Sequence, residues 1–165
     1  MRVRTMAVAV SMMTLTLGSS GLARAQAGAK TTNGLDPDQA AVHDYVLTVD
    51  KCERYAAAAK KLDALQQHPP DPATAAEMQK IQEANVYNVQ KADMMEKSPH
   101  VASIFKTLNI TPRDFVLVPL TLTLTSSLIE SAGNPKLQAE FSYITPAQIQ
   151  FVKDHQADLE KWGLK

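Results

Sequence analysis

Residues 111–133 read TPRDFVLVPLTLTLTSSLIESAG, and whether this stretch is helix or strand decides the fold. It opens with Thr111-Pro112-Arg113-Asp114. A threonine hydroxyl accepts hydrogen bonds from the free N–H groups of a first helical turn, and proline at the next position has no N–H to leave unsatisfied. The acid at the third position comes close to a capping box and lies favourably against the positive end of the helix dipole. Gly133 supplies a C-terminal cap. In between, Phe115, Val116, Leu117, Val118, Leu120, Leu122, Leu124, Leu128 and Ile129 cover every side of a helix, the pattern of an element at the centre of a bundle. One rival exists. Leu120-Thr121-Leu122-Thr123-Leu124-Thr125 alternates with period two and is rich in β-branched residues, which is a strand pattern. Strands usually run about 4–8 residues, however, and the cap and the length of the segment favour helix. The stretch therefore reads as one buried helix from Pro112 to about Ala132, bent near Pro119, where the missing N–H costs about 3 kcal/mol. Leu120, Leu124 and Leu128, at spacing four, are expected in its core-facing side.

Working outward, the same cap-then-proline signature marks four other helix starts: Asp36-Pro37, Asp71-Pro72, Ser98-Pro99 and Thr145-Pro146. A first helix is expected from Pro37 to Gln67, because Val42, Tyr45, Val49, Cys52, Ala56 and Ala59 recur at spacings of three and four. A second is expected from Pro72 to about Gln90, with a break or a continuation before Met94-Met95. A third runs from Pro99 to Leu108, and the last from Pro146 to Trp162, closed by Gly163. Gly133 to Tyr143 reads as a connecting loop. The fold class is all-α: a small bundle of about five helices around a central apolar, Pro-kinked helix.

The N-terminus has a different character. Arg2 and Arg4, without an acid, precede the largely apolar stretch Met6 to Leu17, and Ala23-Arg24-Ala25 supplies a small-x-small cleavage pattern. These are the three parts of a secretory signal. The apolar run is shorter than the roughly 20 residues of a membrane-spanning helix, so no stable membrane anchor is expected after cleavage. Residues 1–25 are read as a signal peptide, 26–34 as a flexible leader, and 35–165 as a single helical domain in the periplasm or secreted. The whole chain has 17 basic and 17 acidic residues. Arg2, Arg4 and Arg24 fall in the signal with no acid, which leaves a net charge of −3 beyond residue 25. Nucleic-acid binding needs a basic footprint, and composition gives none.

Three stretches, "YVLTVDK" (Tyr45 to Lys51), "LNITPRDFVLVPLTL" (Leu108 to Leu122) and "FVKDH" (Phe151 to His155), resemble an uncharacterised group of exported bacterial all-helical proteins. Members share the order signal, Tyr-x-Leu-Thr-x-Asp-Lys helix, Thr-Pro-Arg-Asp/Glu helix and short final helix. The resemblance implies export and helicity, and carries no activity, ligand or catalytic residue. Asn109-Ile110 departs from the apolar-Gly linker common at that place.

Candidates for chemistry are few. Cys52, the sole thiol, shares a stripe with Val49 and Ala56 and reads as a buried small hydrophobe. His155 lies between Val152 and Leu159, where a bundle can hold haem or a metal. The four histidines, His43, His68, His100 and His155, nevertheless form no His-x-x-x-His pair, and no Cys-x-x-Cys-His is present, so neither cofactor nor metal is expected. A helix kinked at Pro119 and lined by Thr121, Thr125 and Ser126 could open a small-ligand cavity, with Thr and Ser hydroxyls meeting the freed carbonyls. No nucleophile elbow, phosphate loop or zinc-protease signature occurs. Three readings follow: a binding or interaction module without catalysis, taking a protein partner or small ligand; a small-ligand or haem-binding bundle using His155, Thr121 and Thr125; and an enzyme with an unrecognised site.

Overall fold

The deciding stretch is a single α-helix, Pro112–Glu130, that continues through Pro119. The computed structural model describes residues 34–164; the expected signal peptide and nearly all of the expected leader lie outside them. Among the described residues there are nine helices and no strand. They are α1 (Pro37–His43), α2 (Val49–Gln67), α3 (Pro72–Glu83), α4 (Asn88–Lys97), α5 (Pro99–Thr107), α6 (Pro112–Glu130), α7 (Pro135–Glu140), α8 (Pro146–Asp154) and α9 (Gln156–Trp162). None is long and apolar enough to cross a membrane. The all-helical class therefore holds, while the expected count of five does not.

Three of the four additional helices have a cause in side-chain hydrogen bonds. The first expected helix breaks over residues 44–48, where Gln148 of α8 reaches in. Its buried side-chain amide donates to the carbonyls of Val42 (2.6 Å) and Tyr45 (2.9 Å) and accepts from the backbone N–H of Thr145 (2.8 Å). Thr48 then caps α2 by accepting from the N–H of Lys51. The second expected helix divides at 84–87, because α4 takes its cap from a distant residue. The carboxylate of Asp38 accepts from the N–H groups of Asn88 and Val89, each at 3.0 Å. Met94 and Met95 thus fall inside α4. The expected loop after Gly133 contains α7, capped by Asn134. The final helix divides at His155, which is neither capped nor capping by its side chain.

Two apolar clusters result. The larger gathers Val42, Cys52, Leu117, Val118, Leu122, Val152 and Leu159; the smaller gathers Ala58, Leu62, Ile81, Val101, Phe105 and Ile110. Tyr55 of α2 packs against both. Central α6 packs most extensively on α4, then on α8, α2 and α1. The face of α6 turned fully inward carries Leu117, Val118, Thr121, Leu122 and Thr125. Leu120, Leu124 and Leu128, expected in the core, are half-buried at its margin. Thr123 is exposed while Thr121 and Thr125 are buried, which is helical and not strand-like segregation.

Candidate functional site

The residues singled out for a ligand cavity are placed differently from one another. Thr121 and Thr125 lie one turn apart on the buried face of α6, both fully enclosed, and neither hydroxyl has a hydrogen-bond partner. They do not satisfy the carbonyl of Phe115 that Pro119 leaves without its usual donor. His155 stands at the α8–α9 junction with its side chain about one-third exposed. Its ring packs on Phe151 at 4.6 Å between centroids with a tilt of 48°, and its Nδ1 lies 3.7 Å from the Asp158 carboxylate. Neither of the two surface hollows described below is lined by these three residues.

A cleft forms instead where two of the quoted stretches converge. It has a volume of about 310 Å³ and is lined by Lys51, Arg54, Phe105, Lys106, Asn109, Ile110, Thr111 and Asp114. Lys51 comes from "YVLTVDK", and Asn109 to Asp114 from "LNITPRD". The wall they share is shaped by the end of α5. Asn109 takes φ +54°, its N–H donates to the carbonyl of Lys106, and the N–H of Ile110 donates to that of Phe105. This is the Schellman arrangement, completed by apolar packing of Ile110 with Phe105. It requires a left-handed residue, which glycine adopts freely and asparagine tolerates. The departure from an apolar-Gly linker is thus accommodated by asparagine.

Asp114 ties the two stretches together. Its Oδ1 accepts from the Tyr45 hydroxyl at 2.7 Å, and its Oδ2 from the Thr111 hydroxyl at 2.8 Å. Lys51 Nζ lies 3.5 Å from the same carboxylate, donates to the carbonyl of Val46 at 3.1 Å, and stands 4.3 Å above the Tyr45 ring. Partial burial pushes the Asp114 carboxyl up, but the bonds from Tyr45 and Thr111 and the Lys51 charge outweigh it and hold it below its ordinary value. Burial, reinforced by the bond to Asp114, pushes the Tyr45 hydroxyl far up, so it stays protonated. Burial also raises the neighbouring Cys52 thiol to about 11, against the opposing pull of Lys51. Arg54 pairs with Asp50 through two contacts, at 2.6 and 2.9 Å.

In the sequence, Lys51 and Arg54 read as a solvated helix face, and Asp114 as a capping residue. No sequence signal singled out Lys51 or Arg54; the fold alone brings them to the α5–α6 junction. A larger hollow of about 460 Å³, lined by Ala76, Gln79, Lys80, Glu83, Ala84 and Met94, is shallow, and it carries one cation and one acid without comparable anchoring. Among the described residues, no three His, Cys, Asp or Glu side chains gather as a metal-binding set.

No protein-family model, curated protein or solved structure matches this chain.

Proposed function

We propose that this chain is an exported helical binding module without chemistry of its own, and that its binding surface is the cleft between α2 and the α5–α6 junction. Export is supported by the three-part pattern of residues 1–25, and kinship with the exported helical group by the three quoted stretches. The observation that carries the binding reading is the convergence of two of those stretches on one cleft whose polar groups are fixed by one another. Those groups suit recognition better than proton transfer. Asp114, the one carboxylate of the lining, is held ionised, and Tyr45 and Cys52, which lie outside the lining, are held protonated, so none of the three is poised near neutral pH as a general acid or base would be.

The test is mass spectrometry of the chain purified from a periplasmic extract. The denatured mass is expected to begin at Gln26. The native mass is expected to exceed it by a co-purified small molecule, and Arg54→Trp, which fills the cleft from an exposed position of α2, is expected to remove the excess. A native mass without excess, or an excess that Arg54→Trp leaves in place, would overturn the assignment of binding to this cleft.

A further inference from the structure

We infer that the cleft between α2 and the α5–α6 junction takes a small anion, with an oxyanion head met by Lys106, Arg54 and Lys51. The inference rests on the reading of this cleft as the binding surface and names its ligand class. Three cations line the cleft against a single carboxylate. That carboxylate is committed inward: Asp114 already accepts from Tyr45 and Thr111 and lies beside Lys51. It has little left to offer a cationic ligand.

Cationic donors remain. Lys51 directs one proton to the carbonyl of Val46 and one toward Asp114 and stands over the Tyr45 ring, so it adds fixed charge to the wall rather than a spare donor. A guanidinium has five protons, and the two contacts of Arg54 with Asp50 leave three. Lys106 is exposed and has no ion pair or side-chain hydrogen bond among the described residues. It is the open charge of the site. Lys51 is held by a carbonyl, a carboxylate and an aromatic face together, so its place in the wall is fixed before any ligand arrives. With Asp50 counted beside Arg54, the site carries one net positive charge, that of Lys106, on a chain that is net acidic beyond residue 25. Carboxylates and phosphates share the required chemistry.

The probes are benzoate, phenyl phosphate and the uncharged isostere benzamide, titrated into the protein while backbone amide resonances are followed by NMR. Benzoate or phenyl phosphate is expected to shift the amides of Lys106 and Asn109 saturably, and the stronger of the two identifies the preferred head group. Lys106→Ala is expected to weaken that binding by about tenfold, as is raised salt. Lys106 is exposed and unpartnered, so the variant should keep the parent melting temperature. Benzamide binding as tightly as benzoate would overturn the anion and leave the cleft as the binding surface. Failure of both anions would overturn the inference, and the co-purification test with Arg54→Trp decides the cleft independently.

Discussion

Single residues carry several consequences that bulk composition hides. Thr121 and Thr125 bury hydroxyls that have no partner. Replacing an unsatisfied polar group by an apolar one of the same shape removes a desolvation cost. Thr121→Val and Thr125→Val should therefore leave stability unchanged or raise it by up to about 1 kcal/mol in urea unfolding. A loss greater than that would show that the hydroxyl has a partner after all. His100 gives a pH-dependent expectation. Its Nδ1 meets Glu77 at 2.8 Å, while Glu77 also accepts from the N–H groups of His100 and Val101. That hydrogen bond raises the His100 value above 6.5 and lowers the Glu77 value below 4.5. A raised histidine stabilises fully below its unfolded value and loses the contribution as pH rises through its folded value. The depressed carboxylate loses its contribution as pH falls through its own folded value. The pair should thus stabilise most between about pH 4.5 and 6.5. An NMR titration of His100 checks the first half, and His100→Ala should flatten the pH dependence of the melting temperature above 6.5. None of this was legible in the sequence, where Glu77 and His100 are 23 positions apart.

At the scale of elements, local signals were reliable wherever the helix start is local. Proline opens α1, α3, α5, α6, α7 and α8, and the five starts expected from cap-then-proline are all present. Asn134-Pro135 has the same form, and α7 follows it. The starts not legible depend on partners far along the chain: α4 needs Asp38, and the gap before α2 needs Gln148. Of the cleft, Thr111 and Asp114 were legible as a capping motif, whereas the cations of α2 were indistinguishable from a solvated face. The inward side of α6 could not be chosen from a sequence apolar all round. Leu117 is now expected to lose about 2–5 kcal/mol on truncation to alanine, the usual range for a buried leucine with a residual cavity. Half-buried Leu124 should lose less; equal losses in urea unfolding would mean the inward face is misassigned. At the end of α5, Asn109→Gly should be close to neutral, while Asn109→Val should cost about 1–2 kcal/mol for forcing a branched residue into left-handed backbone. Equilibrium unfolding of the two variants tests this, and an undamaged Asn109→Val would count against the turn.

For the molecule as a whole, the connection that matters most is Gln148. Its amide joins α8 to carbonyls 103 and 106 positions earlier, and His43 meets the carbonyl of Tyr143 nearby at 2.8 Å. Gln148→Leu keeps the bulk but strands the carbonyl of Tyr45 and the N–H of Thr145, at about 1–3 kcal/mol for each buried group left unpaired. A loss of about 2–6 kcal/mol in urea unfolding is expected, and a loss below about 1 kcal/mol would show that water replaces the amide. The same connection bears on the order in which the molecule can be finished. A chain emerges from its ribosome N-terminus first, and every residue lining the cleft is made before position 115. The bend that leads into α2 and sets Lys51 beside Asp114 still waits for a glutamine made 34 residues after Asp114. A chain truncated short of Gln148 would thus contain every residue lining the cleft and lack the clasp that gives it shape, so the proposed ligand should not be captured by it.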